Sequence, residues 1–197
     1  VSDKVGIFSK IYEYILEIIN LLGILGPVFG CFLIVIESIA PILPLAVFIT
    51  LNFITFGHFI GFIISWIFTL LGCVMSFCLF RKGFYKRFNN FVNSRYKLKK
   101  FMKVVSSMTL SELVVLTAIP FTPAFLVNIA AGLSDMSFKK YFAGIFLGKI
   151  SLVYFWGYIG TSLIESLKNP IILIRIFVLV MIMYIISRFV NKKVNLE

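Results

Sequence analysis

The chain has 197 residues, 60% of them hydrophobic and 14% charged, with a mean hydropathy of +1.04. A soluble domain of this size has nowhere to hide so much apolar surface, so the composition excludes one and leaves a single integral membrane domain. The net charge of +11 does not point to nucleic acid: nine of the 19 basic residues fall between Arg81 and Lys103 with no acid among them, beside apolar runs, as the positive-inside rule expects.

Ile7, Ile11, Tyr14, Ile15, Ile18, Ile19 and Leu22 recur at helical spacing, with Lys10, Glu13 and Glu17 on other faces. They predict an amphipathic helix over 4–22, lying in the interface or on the bundle. Residues 1–10 lack a charged leader followed by an apolar core, so no signal peptide is expected there. Residues 24–56 are apolar but interrupted by Glu37, Pro41 and Pro44. One crossing needs only about 20 residues, and two crossings with a turn need more than this segment holds. Proline removes a backbone donor and clashes with the preceding turn. The segment therefore reads as a re-entrant hairpin of two half-depth helices. Gly57 to Phe80 follows as an uninterrupted transmembrane helix, opened by Gly57-x-x-x-Gly61, which permits close packing. No Asp, Glu, Lys or Arg occurs from Ser38 to Phe80.

The basic segment 81–103 interleaves Phe84, Tyr85, Phe88, Phe91, Tyr96 and Phe101 with its cations. Beside a membrane helix this predicts a surface-lying amphipathic helix on the cytoplasmic side, touching anionic head groups. Residues 104–133 form a second apolar stretch, broken by Pro120 and Pro123. Ser137 is a candidate N-cap for a helix reaching Ile164, which carries Gly144-x-x-x-Gly148 and an intramembrane Lys149. The last helix spans Pro170–Val190, and Arg188, Lys192 and Lys193 place the C-terminus in the cytoplasm. Cys31, Cys73 and Cys78 lie in apolar segments without metal spacing, so they read as small buried hydrophobes. No metal or other cofactor is expected.

Shifting the chain by 79 residues lays Pro41 on Pro120, Pro44 on Pro123 and Phe59 on Phe138. Each half then reads as broken hairpin, short loop and full helix. Because one basic loop separates them, the second half enters from the opposite side, which is the logic of an inverted repeat. The expected fold is thus an all-α membrane protein: two repeats, 24–80 and 104–164, flanked by an N-terminal amphipathic helix and a C-terminal transmembrane helix.

Leu25-Gly26-Pro27 … Glu37-x-x-x-Pro41-x-x-Pro44 … Phe56-Gly57-x-x-x-Gly61 … Gly72 … Arg81-x-Gly83 resembles the DedA-like (SNARE-associated Golgi, or VTT) membrane proteins. So does Ile119-Pro120-Phe121-Thr122-Pro123 … Asn128-x-x-Ala131-Gly132 … Phe138 … Leu147-Gly148. The likeness covers residues 24–162. It implies two opposed re-entrant hairpins and movement of phospholipids or polyprenyl phosphate carriers across the membrane. In bacterial members the implied substrate is undecaprenyl phosphate, often tied to the proton gradient. Thr117 stands where many relatives carry arginine. Leu45, Ala46 and Val47 stand where several carry another acid. The chain looks closer to the TVP-type branch.

A charge deep in a bilayer is costly and usually functional, which makes Glu37 the candidate proton-coupling residue. Pro41, Pro44, Pro120 and Pro123 would aim helix N-termini at a lipid phosphate, with Lys149, Asn128 and Arg81 as further substrate-binding candidates. A cation such as Arg81 at a helix C-terminus also suits the dipole. Gly57, Gly61, Gly132, Gly144 and Gly148 are the helix-packing candidates. A lipid phosphohydrolase needs more histidine than the lone His58, so no enzyme is expected. The reading is a lipid translocase, with membrane lipids as partners and room for a homo-oligomer. The alternative is a proton-coupled ion or small-solute transporter, which Glu37 would serve equally well.

Overall fold

The computed structural model describes residues 25–39, 44–83, 96–122, 124–167 and 169–193. The helix expected over 4–22 lies outside these residues, as do Pro41 and Pro123. All regular structure among the described residues is helical. The helices are α1 (Leu25–Ile39), α2 (Leu45–Cys78), α3 (Tyr96–Ser107), α4 (Leu110–Ala118), α5 (Ala124–Leu133), α6 (Phe138–Glu165) and α7 (Ile171–Lys193). A π-helical turn, Leu79–Gly83, closes α2.

Helix α2 is not one rod. Gly57 sits at φ 77°, ψ 170°, outside helical space, and reverses the chain between limbs 45–56 and 58–78. The hydrogen bond from Asn52 Nδ2 to Ser65 Oγ, 3.0 Å long, joins residues 13 apart. In a straight helix they would be about 20 Å apart. The second limb is the part long enough to cross a bilayer. Gly61 makes the fold-back possible, because a Cβ there would come within 2.5 Å of the Asn52 carbonyl. The two glycines thus divide the work: Gly61 packs, whereas Gly57 has nothing within 4 Å of its would-be Cβ and serves only the turn.

Helix length sorts the remaining elements. With 28 and 23 residues, α6 and α7 exceed the roughly 30 Å of hydrocarbon. With 15, 9 and 10 residues, α1, α4 and α5 fall short of it. Ser137 caps α6 by accepting from Lys140 N–H, as the sequence predicts. Helix α3 continues past the expected end of the basic segment to Ser107. The Ser106 and Ser107 hydroxyls bond back to the Lys103 and Val104 carbonyls. A capping box of Thr109 and Glu112 then starts α4, at a bend of 117°.

Side-chain polarity runs inside out. Phe59, Phe177 and Phe189 are 78%, 66% and 78% exposed, whereas Asn52, Ser65, Thr69, Asn128 and Lys149 are buried. Only a chain surrounded by hydrocarbon gains from that arrangement. The main core joins the second limb of α2 with α3, α4, α5 and α6, through residues such as Leu70, Phe77, Val105, Leu113, Val127 and Ile145. A smaller one, Ile34, Ile49, Phe53 and Val153, joins α1 and the first limb of α2 to α6. Helix α7 packs on α6 through Ile176, Phe155 and Ile159, buries Ser187, and is exposed over most of the rest of its surface.

Gly57→Ala forces a Cβ into backbone space that only glycine occupies readily, at a cost of about 1–3 kcal/mol. Gly83 also has open space around its would-be Cβ but keeps an ordinary φ, so Gly83→Ala is expected to be silent. Thermal unfolding in detergent checks the pair: a lower midpoint for the first variant and an unchanged one for the second.

Candidate functional site

The same contacts recur in the two halves of the chain. Gly72 on α2 lies against Ser38 and Val35 of α1, and Gly148 on α6 lies against Thr117 and Val114 of α4. Ser38 and Thr117 occupy positions 79 apart. Each hydroxyl donates to the carbonyl four residues back, Ile34 O at 3.2 Å and Leu113 O at 2.8 Å. Such back-bonding satisfies a hydroxyl where no water is present. Thr117, standing where the resemblance would place arginine, also bonds Gly144 O on α6. Asn52 pairs with Ser65 and Asn128 with Tyr141, both across 13 residues.

The Asn128 pair knits the halves together. Its Nδ2 donates to Ser38 O at the end of α1, 3.1 Å away. Its Oδ1 accepts from Tyr141 Oη at 2.8 Å, and the same hydroxyl lies 3.0 Å from Cys73 O on α2. Four helices therefore meet at one buried polar cluster. Buried polar groups without partners cost a few kcal/mol each, so such a cluster fixes the relative placement of its helices.

Next in sequence to Ser38 and to Gly148 stand two charges. Lys149, next to Gly148 on α6, is 2% exposed. Glu37, next to Ser38 on α1, is half-buried, and the two interact electrostatically. Glu37 acts on that cation through its field. Pro44 starts α2 without any side-chain cap, which leaves its first N–H groups without a capping oxygen. Pro120 is buried at the end of the turn after α4. The following Phe121 adopts φ 66° and lies edge-on to Trp156 and Tyr184.

Arg81 is committed elsewhere. Its Nε donates to Gly132 O, and its Nη2 lies 2.7–2.9 Å from the Ala131, Ser134 and Met136 carbonyls. The guanidinium also stacks over Phe77 at 4.6 Å. It holds the C-terminal end of α5, where helical carbonyls have no partner of their own. Gly132 allows this by bringing α5 within 2.9 Å of Phe77 O, measured from its would-be Cβ. Gly144, likewise, makes room for Leu113. Among the described residues, no group of His, Cys, Asp and Glu could hold a metal. Cys31 and Cys73 are buried and Cys78 is exposed. Tyr141, Asn52 and Ser65 are the residues that sequence reasoning missed. The repeated 13-residue spacing from an intramembrane asparagine was the available signal.

The VTT domain matches residues 43–162, from just before Pro44 to the last turns of α6. The chain belongs to the VTT-domain family. It is 29% identical to the uncharacterized membrane protein YhjE of Bacillus subtilis (strain 168) over 183 residues, 93% of this chain and 86% of that one. It is also 24% identical to the uncharacterized protein YqeD of the same organism, over 94% of this chain and 88% of the other. No solved structure matches it. As a VTT-domain protein with, among its described residues, three helices long and apolar enough to cross a bilayer, it is a multi-pass membrane protein.

Arg81→Lys keeps the charge but loses the fork that reaches several carbonyls at once. It is expected to lower stability by about 2–3 kcal/mol. Tyr141→Phe removes one shared donor and is expected to lower it by about 1 kcal/mol. Denaturation of both variants in detergent checks the order.

Proposed function

We propose that this protein carries a phosphate-bearing lipid, such as undecaprenyl phosphate or a phospholipid, between the leaflets of the cell membrane. The site lies where two re-entrant hairpins, inserted from opposite sides, meet. The observation that carries the reading is the enclosed Lys149 beside Glu37. A lysine held away from water in an apolar bundle marks a pathway for an anion more often than a support for the fold.

The recurring contacts support the inverted arrangement. Helix α1 with the first limb of α2, and α4 with α5, are pairs of helices each too short to cross alone. Phe77 of α2 meets Phe138 and Tyr141 of α6, and Trp66 meets Phe146, so the two long helices run antiparallel. Ser38, far along α1, reaches Gly72 near the inner end of α2. Thr117, far along α4, reaches Gly148 at the middle of α6. Ion-coupled carriers with inverted repeats place their sites at such a junction.

In this mechanism Lys149 and the N–H groups opening α2 hold the phosphate. Glu37 competes with the phosphate for Lys149 and couples passage to proton uptake, while the acyl chains stay in lipid. The basic residues of 81–103 set the orientation and put that segment and the C-terminus in the cytoplasm. The second limb of α2 then runs inward, α6 outward and α7 back. Thr117 in place of arginine leaves Lys149 as the cation at the junction, which is how we read the affinity to the TVP-type branch.

Lipid-phosphate flux in vesicles tests this. Lys149→Met removes the charge at similar volume, and because it strands Glu37 the test is read on protein that has folded. Flux should fall roughly tenfold or more, the loss of one charge-assisted contact. Glu37→Gln should keep lipid binding and abolish the dependence of flux on a proton gradient. Wild-type flux in the folded Lys149→Met protein would refute the site.

A further inference from the structure

At the end of the bundle opposite Arg81, two cavities lie side by side between the start of the second limb of α2 and the last turns of α6. One is an apolar groove of about 480 Å³, walled by Phe59, Phe62 and Ile150. The other is a polar cavity of about 280 Å³, lined by Phe53, Tyr158, Thr161 and Glu165 among others. His58 and Tyr154 border both, so the two are continuous. Neither Glu37 nor Lys149 lines either one.

We propose that this double cavity is a second lipid site, which binds a phospholipid whose head group carries a primary amine. The apolar groove faces the bilayer, with Phe59 78% and Tyr154 62% exposed, and has the width and lining for an acyl chain. The polar cavity favours a cation on three counts. Glu165 is its charged lining residue, and no described residue pairs with that carboxylate. Glu165 ends α6, at the negative end of that helix's dipole. Tyr154, Tyr158 and Phe53 offer aromatic faces of the kind that attract ammonium groups.

The hydroxyls narrow the choice to an ammonium that still carries hydrogens. Thr161 spends its own proton on the Gly157 carbonyl, 2.9 Å away, so its oxygen faces the cavity as an acceptor. With Tyr158 Oη and the Glu165 carboxylate, that makes three acceptors for the three N–H bonds of a primary ammonium. A choline head group has no such donors. Among the described residues no Lys or Arg lines the cavity and His58 is the one lining group that can be a cation, so an anionic head group meets Glu165 with at most that imidazole to offset it. The site therefore selects against lipids whose head group carries negative charge alone, and its occupancy does not depend on whether the Lys149 junction transports.

Native mass spectrometry of the purified full chain, released from nanodiscs of equal phosphatidylethanolamine, phosphatidylglycerol and phosphatidylcholine, tests the site. Wild type should retain phosphatidylethanolamine over each of the others by about fivefold, the weight of one exposed charge and cation–π contact. Glu165→Gln should bring the ratio to phosphatidylglycerol close to one. Gly83→Ala, at the far end of the bundle, should leave it unchanged. Equal retention of phosphatidylethanolamine and phosphatidylglycerol by wild type would overturn the site. So would a Glu165→Gln protein that keeps the preference, and equal retention of phosphatidylcholine would overturn the primary-amine assignment. Should Glu165→Gln fail to fold, Tyr158→Phe, which removes one acceptor, must lower the preference over phosphatidylcholine; an unchanged preference would equally count against it.

Discussion

Backbone that breaks at membrane depth has to be covered by protein, because lipid offers nothing to its free N–H and C=O groups. The rest of this structure follows from how that cover is made. Gly72 and Gly148 strip the side chains from one face of each long helix, so that Ser38 and Thr117, near the ends of two short helices, lie against bare backbone. Ser38 and Thr117 meanwhile turn their hydroxyls onto their own helices. Remove either glycine and the short helix must back away, exposing the broken end that it delivers. Close approach of small residues, rather than burial of large apolar ones, is what drives helices together in lipid.

Once the short helices are seated, the polar interior becomes possible. Asn128, Tyr141, Ser38 and Cys73 satisfy one another across four helices, and Glu37 and Lys149 are the sequence neighbours of Ser38 and Gly148. Arg81 serves the opposite purpose from Lys149. Its Nε and Nη2 are turned onto the carbonyls that end α5.

Much of this was legible in the sequence. The proline pairs marked both breaks, and charge-free runs too long for one crossing and too short for two implied folded-back segments. Ser137 and the helix it caps were readable from N-cap chemistry. What was not readable depends on register and on backbone angles. Gly57 and Gly61 look like one packing motif, yet only the φ of 77° shows that Gly57 turns the chain while Gly61 packs. The 79-residue shift aligns the prolines, whereas Asn52 and Asn128, with their partners, align about one helical turn earlier. A slip of one turn preserves the apolar pattern, so hydropathy cannot detect it. Arg81 was ambiguous for a related reason: its partners lie some 50 residues away, on carbonyls that no side-chain motif announces.

The central claim is that a lipid phosphate reaches the buried junction of α1, α4 and α6. Photo-crosslinking tests it most directly, using a phosphate-bearing lipid with a diazirine beside its phosphate, reconstituted with the full chain and mapped by peptide mass spectrometry. The account predicts adducts around Glu37 and Lys149, lost when excess unlabelled lipid phosphate is added. Adducts confined to the exposed face of α7 and to the basic helix α3 would mean that the phosphate never leaves the membrane surface, and would contradict it.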